Sequence, residues 1–121
     1  MKFLLSICAP PSTNTAVQAL SFAQTLIDLN HEVVQLFFFA EGVLNARYAC
    51  NELGSQWSQL IQTHNIDAVC CANSAAAYHL LDVTDRFPGF ELAGIAQLTT
   101  QASITERCIT FGTRTLVSRD E

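Results

Sequence analysis

The sequence predicts a single-domain α/β protein built on a doubly wound parallel sheet of about five strands, with helices on both faces. Three observations carry that expectation. Short apolar runs alternate with amphipathic stretches of helical period, the order that builds βαβ units. The apolar runs lack the two-residue alternation of a strand with one wet face, so their sheet is covered on both sides. At 121 residues the chain suits one such core and is too short for two.

The elements follow in order. Lys2 to Cys8 reads as a first strand; its apolar part is short for a secretory leader, and a folded pattern continues directly after it. Pro10, Pro11, Ser12 and Thr13 end it, and Ser12 or Thr13 can cap the next helix. From Thr15 to Leu29, Val17, Leu20, Ala23 and Ile27 form one helical stripe, with Ala16, Ala19, Phe22 and Leu26 beside it. Asn30-His31 closes that helix, Glu32 to Phe39 is a second strand, and Glu41 to Asn45 leaves it as a loop. Leu53, Trp57, Leu60 and Ile61 mark a second helix within Asn51 to Thr63. Ile66 to Cys71 is a third strand and Ala75 to Leu81 a short helix. Arg86-Phe87-Pro88-Gly89 turns the chain. Phe90 to Gly94 is a short fourth strand or an irregular entry to a helix marked by Ile95, Leu98 and Ala102. Arg107 to Phe111 is the last strand, and residues 112–121 form a polar tail expected to be poorly ordered.

Right-handed crossovers favour a flavodoxin-like order, in which the first and third strands are neighbours. In such sheets chemistry gathers at the carboxyl ends of strands. Cys8, the Phe39-Ala40-Glu41-Gly42 turn and Cys71 all fall at ends of that kind.

Composition excludes several classes of function. Only 14% of residues are charged, against about 25% in an average domain, so part of the surface is expected to lie against other subunits. No run of about 18 apolar residues exists for a membrane span. The net charge is -5 and Lys2 is the only lysine, which argues against direct nucleic-acid binding. Five cysteines without regular spacing fit a reducing cytoplasm better than a disulfide framework. Neither phosphate-binding glycine motif is present, so nucleotide binding by those routes is not expected; the three histidines lack ligand spacing and there is no C-x-x-C pair, so neither is a structural zinc site.

The thiols remain. Neighbours in a strand point to opposite faces, so Cys70 and Cys71 should differ in environment. Cys70 belongs under a helix. Cys71, last in its strand, can turn towards the amides of a helix beginning near Asn73, which would lower its pKa below the free value of about 8.5. The competing reading is two buried core cysteines, since cysteine is among the most buried residue types. If the first and third strands are neighbours, Cys8 lies near Cys71 as a resolving thiol. Cys50 reads as a loop residue and Cys108 as core. Asp82 and Asp85 read as solvated helix-end charges.

Three segments resemble the DsrE family. They are Gln35 to Ala46, an aromatic strand with a Glu-Gly-Val-x-x-Ala turn; the cysteine segment with Asp82 eleven residues beyond Cys71; and Gly89 to Leu98 followed by Glu106-Arg107. Together they span residues 1 to about 111 as one DsrE-like sulfurtransferase domain. The resemblance implies a cytoplasmic persulfide carrier with no cofactor. It would take sulfur on Cys71 from an upstream persulfide donor and pass it to a downstream sulfur carrier, in a relay ending in 2-thiouridine at the tRNA wobble position. It also implies a hexamer of similar subunits, hence TusB-like and TusC-like partners. Two alternatives stand beside it: a sulfur carrier in dissimilatory sulfur oxidation, or a non-catalytic scaffold subunit. Where the family carries Arg-Gly after the cysteine helix, this chain has Tyr78-His79. His79 is a candidate substitute for the arginine, which leaves Cys70, Cys8, His79 and Asp82 as supporting candidates around Cys71.

Overall fold

The apolar runs pair into one parallel sheet. The computed structural model describes residues 1–49, 51–94 and 104–112. In chain order they form β1 (Lys2–Ile7), α1 (Asn14–Asp28), β2 (Glu32–Phe38), a 3-10 helix (Ala40–Ala46), α2 (Glu52–His64), β3 (Ala68–Cys71), α3 (Ala72–Ala77), a 3-10 turn (Val83–Asp85), β4 (Phe90–Ala93) and β5 (Arg107–Phe111). The sheet has five strands in the order β4-β3-β2-β1-β5, every pair parallel. The expected class is the one found, but the order is not flavodoxin-like: β2 lies between β1 and β3. The chain steps from β1 to β4 in one direction, and β5 returns to the free side of β1.

Right-handed crossovers made in one direction put their helices on one face. Accordingly α1 and α2 lie side by side, sharing a groove lined by Leu20 and Gln24 of one and Gln56, Leu60 and Thr63 of the other. Beneath them Phe3, Leu5 and Ile7 of β1, Leu36 and Phe38 of β2, and Ala68 and Cys70 of β3 form the core with Ala19, Ala23, Trp57 and Ile61. The opposite sheet face is buried too, through Leu4, Gln35, Phe37 and Val69. The helix expected around Ile95, Leu98 and Ala102 lies outside the described residues, as do Cys50 and the tail beyond Gly112.

Local chemistry explains the element boundaries. The Thr13 side chain caps α1 by accepting from the Ala16 amide at 3.2 Å. The buried face of α1 is Ala16, Ala19, Leu20, Ala23 and Leu26. Val17, expected in the stripe, faces outward, because the small alanines let the other side sit closer to the sheet. Asn51 caps α2 through the Gly54 amide at 2.9 Å, and Asn65 ends it with a left-handed φ of 53°. In β2 a register shift pairs Phe3 with Val33 but Leu4 with Gln35. The extra residue breaks strict alternation and turns Leu36 and Phe38, instead of Gln35, towards the helices.

Two expectations change here. Cys108 is exposed rather than core, because β5 is an edge strand with its outward residues uncovered. The loop after β2 is the 3-10 helix, tied down by a buried asparagine. Asn45 Nδ2 donates to the carbonyls of Ala9 and Gly42, both at 2.9 Å, and Asn45 Oδ1 accepts from Trp57 Nε1 at 3.2 Å. Gly42 sits where β1 ends. A Cβ there would lie 2.6 Å from the Ile7 carbonyl carbon and closer still to its oxygen. Backbone cannot yield as a side chain can, so Gly42→Ala is expected to lose about 2–3 kcal/mol of stability. The check is a lower denaturant midpoint at unchanged slope. No helix among the described residues is long and apolar enough to cross a membrane.

Candidate active site

The carboxyl end of β3 runs into α3 without a linker. Cys71 is at once the last strand residue and the N-cap of the helix. The helix therefore starts earlier than the expected Asn73 or Ala75, and it stops at Ala77 rather than Leu81. The stop has a clear cause: His79 takes φ 61°, the His79 amide returns to the Ala76 carbonyl at 3.2 Å, and the Leu80 amide returns to the Ala75 carbonyl at 2.8 Å. That is a Schellman closure, usually announced by glycine at the left-handed position and here hidden by a histidine.

The two thiols separate as strand alternation requires. Cys70 points into the core and is fully buried. Burial pushes its thiol up to about 12, against a weaker opposite pull from the Arg86 guanidinium. Cys71 is partly exposed. Its partial burial works against ionisation, yet its pKa is lowered, because the Ser74 amide, the Ser74 hydroxyl and the Asn73 amide favour the thiolate by hydrogen bonding. The Cys71 thiol makes no side-chain cap bond of ordinary geometry. A neutral thiol is a weak acceptor, so the pull of these donors is realised chiefly when the sulfur is charged.

The raised Cys70 pKa has a consequence for alkaline stability. The folded chain holds this proton more tightly than the unfolded chain. The resulting stabilisation is complete below the ordinary range of a free thiol and is lost as pH rises from there towards about 12. Cys70→Val is therefore expected to flatten the alkaline limb of the stability curve relative to the parent chain, as read from denaturant midpoints against pH.

Ser74 was not among the sequence candidates. It occupies the third position of α3, and its Oγ accepts from the Ala40 amide at 2.9 Å, joining the ends of β2 and β3. The usable signal was a hydroxyl residue three positions beyond a cap, the spacing of reciprocal helix-start hydrogen bonds.

The other candidates disperse. Cys8 is two strands from Cys71, roughly 9–10 Å at ordinary strand spacing and beyond disulfide reach. Its sulfur instead lies 3.5 Å from the Phe111 carbonyl, towards β5. The resolving-thiol expectation fails on strand order. His79 stands at the opposite end of α3 from Cys71, exposed and lining a 220 Å³ cavity with Arg47, Tyr48, Tyr78 and Asp85. Helix rise of about 1.5 Å per residue keeps it from replacing an arginine beside the thiol. Asp82 is exposed and caps the 3-10 turn, its Oδ1 accepting from the Thr84 amide at 3.0 Å and the Thr84 hydroxyl at 2.9 Å. Those bonds, with Arg86 nearby, hold its carboxyl below the usual range. It is a helix-end charge, as the residues alone suggested.

Comparison with known proteins agrees with this architecture. The chain is 31% identical to a protein of Pseudomonas aeruginosa named sulfurtransferase TusD homolog, over 93% of this chain and 98% of that one. It is 27% identical to the putative sulfurtransferase DsrE of Allochromatium vinosum, over 93% and 99% of the two chains. Among solved structures, the ychN protein from E. coli superposes with a TM-score of 0.77 at 13% identity, over 91% of this chain and 97% of that one. MTH1491 from Methanobacterium thermoautotrophicum gives 0.74 at 17% identity, over 89% and 97%. These two likenesses speak for the fold. The model of the DsrE/DsrF-like family matches residues 1–111, the whole span from β1 to the last residue of β5. With that span, that sheet and those relatives, the chain belongs to the DsrE/DsrF-like family.

Proposed function

We propose that this chain is a sulfur-relay sulfurtransferase subunit in which Cys71 carries the sulfur. The observation that supports this most is a partly exposed thiol placed at a helix start whose donors favour its ionised form. The relatives named sulfurtransferase supply the substrate class. The Cys71 thiolate attacks the terminal sulfur of a donor persulfide. A sulfur–sulfur bond forms on Cys71, the donor's sulfur–sulfur bond breaks, and the donor leaves as a thiolate. The proton of the persulfide travels with the transferred sulfur. Nothing is oxidised or reduced overall, so the step needs no metal or organic cofactor. Delivery to a downstream carrier repeats the exchange with the roles reversed.

In the finer reading, the relay serves 2-thiouridine formation at the tRNA wobble position. The chain would work in the cytoplasm beside TusB-like and TusC-like subunits, in a hexamer. The net charge of -5 suits a subunit that passes sulfur along without holding tRNA. Incubating the full chain with a cysteine desulfurase and labelled cysteine tests the chemistry. One reductant-labile labelled sulfur is expected on the peptide containing Cys71; no label, or label confined to other peptides, overturns the assignment. Deleting the gene tests the finer reading, which predicts loss of wobble 2-thiouridine. Intact thiouridine with impaired sulfur oxidation would move the chain to the oxidative role instead.

A further inference from the structure

The cavity beyond the C-terminal end of α3 has no part in the sulfur chemistry. It is lined by Arg47 and Asp85, by the rings of Tyr48, Tyr78 and His79, and by Leu80, which is buried. Backbone fixes its walls. The segment after the 3-10 helix runs antiparallel to the 3-10 turn before β4, with Arg47 opposite Arg86. The Tyr48 amide donates to the Asp85 carbonyl at 2.9 Å, and the Phe87 amide to the Ala46 carbonyl at 2.8 Å. The Tyr48 ring packs on Phe87 with centroids 5.0 Å apart. His79 comes in from the end of α3 at φ 61°, a conformation that any residue with a Cβ adopts at a cost.

The two full charges of this cavity do not satisfy each other. Arg86 is spent on the carbonyls of Leu80 and Leu81, at 2.8 and 3.0 Å. Arg47 gives one donor to the Tyr78 carbonyl at 3.3 Å and has further N–H donors to offer. Among the described residues no ion pair engages either Arg47 or Asp85. An unpaired cation and an unpaired anion on one cavity suit a ligand that carries both opposite charges. The volume of 220 Å³ falls below the roughly 300–1,000 Å³ of sites for drug-sized molecules, so the ligand is small.

We propose that this cavity binds a free α-amino acid as its zwitterion, with the carboxylate on Arg47, the ammonium on Asp85 and an apolar side chain against Tyr48, Tyr78 and Leu80. A ring nitrogen of His79 supplies a second donor to the carboxylate. The site is separate from Cys71, since the six residues of α3 lie between them. The isotope-labelled full chain is titrated with L-leucine and followed by NMR at the amides of Tyr48, His79 and Leu80. Saturating shifts are expected, with a dissociation constant on the order of 1 mM, as suits a small ligand held by partly solvated charges. Arg47→Gln and Asp85→Asn each weaken binding by about tenfold or more, while Cys71→Ser binds as the parent does. N-acetyl-L-leucine lacks the ammonium and L-leucinamide lacks the carboxylate; neither is expected to move these amides. The absence of a saturating shift with L-leucine overturns the proposal, as does equal binding of either single-charge analogue or undiminished binding in Arg47→Gln or Asp85→Asn. Site-resolved alkylation of Cys71 by iodoacetamide, measured against pH, controls for the fold. Weakened binding found only in variants that have also lost the parent's alkylation profile counts against the site.

Discussion

Cys71→Ser is expected to abolish sulfur loading from a desulfurase, whereas Cys70→Ala is expected to load as the parent does. The asymmetry follows from burial. Cys70 is fully buried, and burial pushes its thiol far above the ordinary range, so near neutral pH it stays protonated. Its sulfur faces the core and has no approach for a donor's persulfide. It cannot stand in for its neighbour. The serine hydroxyl in Cys71→Ser ionises far less readily than a thiol and cannot hold a persulfide at all. Loading that survives in Cys71→Ser and maps to Cys8 or Cys108 would move the chemistry elsewhere, since both of those thiols are free and more open than Cys70.

Trp57→Ala is expected to cost about 3–5 kcal/mol, a large share of the 5–15 kcal/mol that holds a typical domain together. Trp57 is fully buried against Phe38, edge to face with ring centroids 5.3 Å apart. Its removal leaves a cavity under α2 and also strips Asn45 Oδ1 of its donor, deep in the seam between α2 and the 3-10 helix. Asn45 fastens the Gly42 and Ala9 carbonyls, so the damage should spread to the turn that carries Ala40. Urea unfolding measures the first effect, and a coincident loss of the Cys71 alkylation profile measures the second. Trp57→Phe separates them: it keeps most of the ring and loses the N–H, at an expected cost of about 1–3 kcal/mol. A Trp57→Ala chain as stable as the parent would remove this seam from any account of the site.

The run of elements was legible because each signal is local. Apolar runs without alternation, the cap of α1 at Ser12 or Thr13, and the opposite facing of Cys70 and Cys71 depend on residues a few positions apart. The position of Cys71 at the carboxyl end of its strand was readable for the same reason, as was the local, solvated character of Asp82. The end of α3 was not, because a histidine stands at the left-handed position where glycine would have marked the stop.

Strand order belonged to the tertiary structure. Parallel strands buried on both faces look alike in sequence, so exchanging their places in the sheet alters no local pattern. That single choice separated Cys8 from Cys71 and returned β5 to the far side of β1. The same long-range closure set Ser74 against Ala40, thirty-four residues earlier in the chain. Sequence alone determined which sulfur meets a helix start; only the packing of β2 against β3 decided which groups would surround it. Helix starts are written by neighbours along the chain, whereas an active-site shell is assembled by strands that meet across it.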